Sequence, residues 1–349
     1  MSFKEICINS KTCELMKAVV KPKYGSKTIL TDSCWEYVSL FLKRKKTSGT
    51  GDARFYWEQA HSFYLASSNL PDSARPLTSY YCILNMTKAL LRYKGIDGAS
   101  LKHHGLSSVR NKNEKTDINE AFTDIKGGGV LPELSNYYEF NLIPGRYSMA
   151  ELLYNIPCVH RAYCITFSKS EIFVPIMKPT FVKKDNSKDA WIKFEVDGRY
   201  ANKKALKYLP TKFQKDEGIS ESYTIRAKKR FEWDIHESKD QRKRVLEKYH
   251  EKNRKHLYYI YGDSKLWYVK KQLKGNENFN QAPSAVLIFS VFHWLSELVR
   301  YNPKLFSDYM ASKQNWLLHE FINNALDQFV DEISCEITGE DIMCTGYRK

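Results

Sequence analysis

Apolar positions along the chain change their period twice. Between about residues 32 and 95 they recur at helical spacing. Asp32 and Ser33 can cap a first helix whose Trp35, Val38 and Leu42 share a face. A basic, glycine-containing loop at 43–51 leads to a second, with Phe55, Gln59, Phe63 and Ala66 in register and Pro71 beyond its end. Asp72 or Ser73 can cap a third. Pro76 is tolerated in its first turn, where no intrahelical partner for an N–H is lost. Leu77, Tyr80, Tyr81, Leu84, Leu90 and Leu91 form its apolar face, and Gly95 ends it.

From about 158 to 273 the period becomes that of strands. Runs at 161–167, 171–176, 190–196 and 222–233 are rich in aromatic and β-branched residues. Runs at 257–261 and 266–269 flank Gly262-Asp263-Ser264 and predict a hairpin, while 237–253 is a strongly charged helix candidate. From 284 to 333 the helical period returns. Ala285, Ile288, Phe289, Phe292, Leu295 and Val299 make one helix apolar on more than one side, so it should be central and buried. A last helix, at 316–330, turns Leu317, Phe321, Leu326 and Phe329 inward. The two helical parts are each too thin to bury their faces alone. The pattern therefore predicts an α+β protein: a discontinuous α-helical core from the N- and C-terminal parts, with an inserted antiparallel β-rich middle region. The expected boundaries are 1–157, 158–274 and 275–349.

Charge sharpens this division. The 349 residues carry 55 Lys/Arg and 40 Asp/Glu, a formal +15, yet residues 199–274 alone hold 22 Lys/Arg and 10 Asp/Glu, a net +12. Residues 275–349 are acidic, with 5 Lys/Arg and 10 Asp/Glu. The densest positive segments hold Lys228, Lys229 and Arg230, then Lys239, Arg242, Lys243, Arg244, Lys248, Lys252, Arg254 and Lys255. Tyr258, Tyr259, Tyr261, Trp267 and Tyr268 follow. Cations neutralise phosphates and release counterions, and aromatic faces can stack on unpaired bases. Strands need such aromatics for their own core, so the aromatics read as packing. The basic stripe reads as a nucleic-acid interface, to RNA or DNA, built from Lys228, Lys229, Arg230, Arg242, Lys243, Arg244, Lys248, Arg254 and Lys255; the alternative is a solvated surface helix.

Other classes are disfavoured. The longest apolar stretch, 286–295, is too short to span a bilayer, and the N-terminus has no apolar run of signal-peptide type, so a cytoplasmic protein without a membrane partner is expected. The eight cysteines include no C-x-x-C pair, which argues against a metal site or a disulfide framework and for free thiols. No cofactor is expected. Gly25-Ser26-Lys27-Thr28 lacks the glycine and Gly-Lys of a phosphate loop, and Gly127-Gly128-Gly129 lacks dinucleotide spacing and reads as a flexible loop. His319-Glu320 is followed by Asn323 where a zinc-binding helix needs histidine, and there is no G-x-S-x-G.

Helical ribonucleases of the HEPN type separate an Arg that orients phosphate from a following His that helps proton transfer by four to six intervening residues. Arg54 with His61, Arg230 with His236 and Arg244 with His250 fit that spacing, where chance alone supplies about one match. Only Arg54 and His61 lie on a predicted helix of the helical core. They are the candidate catalytic pair of a metal-independent ribonuclease, against the simpler reading of an exposed helix-face pair. Asn85 and Lys88, and His293 and Glu297, stand within apolar helices. Such groups either form an internal hydrogen-bonding network or line a ligand pocket, which His103-His104-Gly105 could close.

The run Ala-Arg-Pro-Leu-Thr-Ser-Tyr-Tyr-Cys-Ile-Leu-Asn-Met-Thr-Lys-Ala-Leu at 74–90, followed by His104-Gly105-Leu106, resembles the signature of the bacterial YaaC-like proteins. The segments 148–157 and 292–303, and Asn315, are similar to that family too. The resemblance covers most of the helical parts and least of the basic middle. It carries over no catalytic residue; Arg75, Asn85, Lys88 and His104 match the signature and mark its candidate pocket. It implies a cytoplasmic bacterial protein and, in some members, company with antiphage defence genes. The leading expectation is thus a YaaC-like protein that binds nucleic acid, or a nucleic-acid-bound partner, through its middle region in antiphage defence. The alternatives are the ribonuclease and a non-enzymatic scaffolding subunit of a multi-protein complex, docking a protein partner on its acidic C-terminal helices.

Overall fold

Helical and strand periods are realised as separate bodies. The structure, a computed structural model, describes residues 3–45, 47, 49–96, 99–108, 116–196, 198–201, 207–216, 223–262, 265–272 and 281–344. Its helices are α1 (Cys34–Arg44), α2 (Thr50–Ser68), α3 (Arg75–Tyr93), α4 (Val130–Tyr137), α5 (Met149–Tyr154), α6 (His160–Phe167), α7 (Lys239–Arg254), α8 (Ser284–Tyr301), α9 (Pro303–Ala311) and α10 (Asn315–Thr338). Its strands are β1 (Phe3–Glu5), β2 (Cys7–Ile8), β3 (Lys11–Thr12), β4 (Ile29–Thr31), β5 (Leu106–Ser108), β6 (Phe122–Ile125), β7 (Gly145–Ser148), β8 (Phe173–Lys184), β9 (Asp189–Val196), β10 (Phe213–Lys215), β11 (Thr224–Ala227), β12 (Phe231–Glu232), β13 (Leu257–Ile260), β14 (Leu266–Lys270) and β15 (Ile342–Cys344). Two compact units result. The β unit takes its residues from 1–30, 172–277 and 339–343, and the helical unit from 31–171, 278–338 and 344–349.

In the helical unit α1–α3 pack with α8–α10, the discontinuous core that the pattern predicts. Every residue of α8 from Ser284 to Ser296 is buried, because its apolar positions run round the whole helix. The α2 face differs from the expected one. Phe55 is 57% exposed, and Ala53, Trp57, Ala60 and Ser67 turn inward instead. Small residues on either side of Trp57 let α3 approach closely, and Trp57 Nε1 donates to the Trp35 carbonyl at 3.0 Å. The run at 161–167, expected as a strand from its aromatic and β-branched residues, forms α6. His160, Ala162, Tyr163 and Cys164 are its buried positions, a helical spacing set by packing on α5 and α10, and Ser168 ends it in the left-handed region at φ 52°. Strands β5, β6 and β7 add a small antiparallel sheet to this unit.

In the β unit the strand order is β10-β11-β9-β8-β14-β13, with β1 on β8 and β12 on β9, all antiparallel. The hairpin expected around Gly262 is the β13–β14 pair. Residues 3–30, for which no element is predicted above, supply β1 and a coil that packs into the sheet's core through Ile6, Leu15 and Tyr24. There His250 of α7 is fully buried. Its Nε2 donates to the Ala18 carbonyl at 2.9 Å, which leaves Nδ1 to accept the Tyr24 hydroxyl at 2.8 Å.

Burial pushes His250 down to about 3, and burial together with Lys212 and Lys255 pushes His256 down to about 4. Both therefore fold neutral. Their contribution to stability is complete above the unfolded value near 6.5 and is lost as pH falls toward the folded values. Urea unfolding should show stability dropping between roughly pH 6.5 and pH 4. His250→Ala should cost about 2–4 kcal/mol at pH 7.5 and flatten that drop. Identical slopes in parent and variant would show that His250 is not a source of it.

Candidate functional site

Helix α7 owes its two faces to a sequence with few apolar residues. Ser238 caps it, its Oγ accepting from Gln241 N at 3.2 Å. Leu246, Tyr249, His250, Asn253 and Arg254 are buried, so Arg244, Lys248 and Lys252, spaced four apart, face solvent together. Arg254 is therefore not the surface cation expected from the sequence. It is 6% exposed, its guanidinium donates to the carbonyls of Met16, Lys17 and Leu257, and it lies over the rings of Tyr259 and Trp267. Arg230 is neutralised by Asp189 at 2.6 Å and sits over Trp191. Arg242 is half-buried over Trp233, and Lys243 and Arg244 lie near the carboxylate of Glu247.

The remaining cations converge. The Lys228-Lys229-Arg230 turn between β11 and β12 is seated on α7 by Tyr249, whose hydroxyl donates to the Lys229 carbonyl at 2.7 Å. Lys228 N bonds the Lys212 carbonyl at 2.7 Å, and Lys212 Nζ reaches the Lys252 carbonyl at 2.6 Å near the C-terminal end of α7. Burial, then Lys229 and Lys255, push Lys212 down to about 8. The turn, Lys212 and the exposed side of α7 thus form one positive surface. Among the described residues no carboxylate lies within ion-pair distance of Lys212, Lys228, Lys229, Lys248 or Lys252. Lys212 escaped the sequence reading, since nothing in its own neighbourhood announces a partner forty residues away. Tyr258, Tyr259 and Trp267 are buried, so these aromatics serve the sheet.

The other candidates lie in the helical unit. Arg54 pairs with Glu58 on its own helix at 3.2 Å, and His61, two turns on, stacks on Trp35 with ring centroids 4.9 Å apart. Burial lowers the His61 pKa. Each has a structural partner of its own. Arg75 donates to the Ser67 carbonyl and to Asn323, beside Asp72, which holds His319 Nδ1 at 2.6 Å. Asp72 is thus a brace to α10 and not a cap of α3, a position Ala74 holds. Asn85 bonds the Tyr81 carbonyl within α3. The acidic α10 turns carboxylates inward: Asp331 and Glu336 are buried, and Tyr137 donates to Glu336 at 2.8 Å.

Lys88 and His104 do come together. Tyr80 Oη and His104 Nδ1 are 2.7 Å apart, and the rings of Tyr80 and His293 meet edge to face at 5.3 Å. Lys88 Nζ lies over the Tyr56 ring. The triple glycine, expected to be a flexible loop, is the anchor of His104. Val130 N and Leu131 N, at the start of α4, bond the carbonyls of His103 and His104, and Lys126 N bonds that of Gly105. A Cβ on Gly105 would stand 2.4 Å from Pro132, and one on Gly129 would stand 2.5 Å from the Gly105 backbone. Both glycines have positive φ. No group of three or more His, Cys, Asp or Glu that could hold a metal ion occurs among the described residues, and no helix among them is long and apolar enough to cross a membrane.

A family profile described as YaaC-like Protein matches residues 18–337. No curated protein and no solved structure matches the chain.

The split between buried and exposed cations has a direct check. Arg254→Ala should destabilise the fold by about 3–5 kcal/mol, because it empties a buried site and unpairs three carbonyls. Lys252→Ala should stay within about 0.5 kcal/mol of the parent. Chemical denaturation of the two variants distinguishes them, and equal losses would contradict the assignment of Arg254 to the interior.

Proposed function

The chain belongs to the YaaC-like family, and from that premise we propose that it binds nucleic acid through the positive surface of its β unit. The observation that carries this reading is Lys212. Its ammonium is held down by burial and by two neighbouring lysines, with no carboxylate in reach among the described residues. A phosphate placed there relieves the repulsion and releases counterions. The run Arg244, Lys248, Lys252 extends the site along α7, and Lys228 and Lys229 extend it across the turn. With Tyr258, Tyr259 and Trp267 buried, contact falls mainly on the phosphate backbone, which positions a strand without reading its bases. A role in antiphage defence belongs to the same proposal, because recognition of foreign nucleic acid is the step such a surface would perform.

Fluorescence anisotropy with single- and double-stranded DNA and RNA over a salt series tests it. The logarithm of the affinity should fall linearly with log salt, and the triple variant Lys229→Glu, Lys248→Glu, Lys252→Glu should bind about tenfold or more weakly, with a shallower salt slope. Absence of binding to all four polymers at about 50 mM salt, or a triple variant that binds like the parent, overturns the proposal. Loss of protection in a phage plating assay with the same variant would extend it to defence.

A further inference from the structure

A second group of polar side chains in the helical unit combines charge with burial. Tyr80 and Lys88 project from α3 two turns apart, His293 and Glu297 from α8 one turn apart, and His104 enters from the glycine-anchored loop. Tyr80 and His293 are buried, whereas Tyr56, Lys88, His104 and Glu297 are half-buried. The group thus has a closed floor and a wetter rim. Its floor carries an orphan: His293 is 4% exposed and, among the described residues, its Nδ1 has no hydrogen-bond partner. Its rim carries another, since among the described residues Lys88 has no carboxylate within ion-pair distance and only the Tyr56 ring beneath it.

We propose that Lys88, His104 and His293 bind a small oxyanion, the phosphate or carboxylate group of a metabolite, at this cleft. Lys88 supplies the countercharge. With the Tyr80 hydroxyl donating to His104 Nδ1, His104 Nε2 carries its proton and serves as a donor to the ligand. His293 has the unmatched nitrogen that a bound oxygen, or a water held by it, would satisfy. Among the described residues Glu297 is the acidic group that bears on the cluster, on the Tyr80 side, and His103 and Lys88 bear on His104 from the other. The electrostatics agree with this assignment. Burial lowers Lys88, and burial, Lys88 and His103 lower His104. Burial, then His104, push His293 down to about 3. Burial thus disfavours positive charge on all three side chains, and a bound anion would offset that penalty. The anchoring of His104 by three backbone bonds and two glycines means that its ring needs no reordering on binding.

Nuclear magnetic resonance of the full chain with isotope-labelled histidine rings tests the assignment. Inorganic phosphate and, separately, acetate are titrated at pH 7.5 against chloride of matched ionic strength. Saturable shifts of the His104 and His293 signals, with a rise in the His104 pKa in the bound state, support the site, and whichever anion produces them names the group recognised. Lys88→Met should weaken that binding about tenfold or more while unliganded histidine signals keep their dispersion, which shows the variant folded. The Lys229→Glu, Lys248→Glu, Lys252→Glu variant should bind as the parent does, which separates this cleft from the surface of the β unit. Signals unmoved by either anion up to about 50 mM, corresponding to an affinity too weak to matter, overturn the proposal, as do shifts of equal size in Lys88→Met.

Discussion

A helix as charged as α7 can hold a basic face toward solvent only if its other face is tied down, and that tie is the burial of Arg254. A guanidinium taken out of water is destabilising by several kcal/mol unless its donors are met. Here the carbonyls of Met16, Lys17 and Leu257 accept from it, and Tyr259 and Trp267 form its bed. The same contacts join the coil at 16–17, the end of α7 and the β13–β14 hairpin. His250 and Tyr249 complete the attachment one turn earlier. Once those positions point inward, helical geometry leaves Arg244, Lys248 and Lys252 no direction but outward.

Lys212 and Lys88 show the two uses this chain makes of an incompletely compensated lysine. Both are partly desolvated, and neither has a carboxylate within pairing distance among the described residues. Lys212 has other lysines for neighbours, so the positive potential spreads along a surface and suits a repeating polyanion. Solvent screening keeps such repulsion small enough for the fold to bear. Lys88 has the Tyr56 ring beneath it and the His104 imidazole within its field, so its charge stays local and has a directional donor beside it. That arrangement suits a single compact anion.

Backbone geometry, more than side-chain packing, prepares the second of these sites. The carbonyls of His103 and His104 satisfy the first N–H groups of α4, which would otherwise be orphans at a helix start. That exchange needs the two chain segments to approach more closely than any Cβ permits, and Gly105 and Gly129 provide the approach. His104 is thereby held by main chain where its Nδ1 meets the Tyr80 hydroxyl.

Periodicity determined much of this protein by itself: the helical positions of α1, α3, α8 and α10, the β13–β14 hairpin, the charged helix at 239–254 and the concentration of positive charge. Those are properties of spacing and composition, and spacing survives folding. The inward face of α2 and the helical state of α6 were not legible. Phe55 and Trp57 offer competing stripes on one helix, and the run at 161–167 has the aromatic and β-branched residue types of a strand. Neighbouring elements made the choice in each case, because burial is a property of the partner as well as of the residue. Within the candidate sites, Lys88 and His104 were legible as a signature, but their alignment with Tyr80 and His293 was not. Nor could composition separate Arg254 from Lys252, two cations two residues apart. Only the tertiary structure decided that one is a structural post and the other a surface charge, since a helix turns about 100° per residue and a two-residue step crosses to its far side.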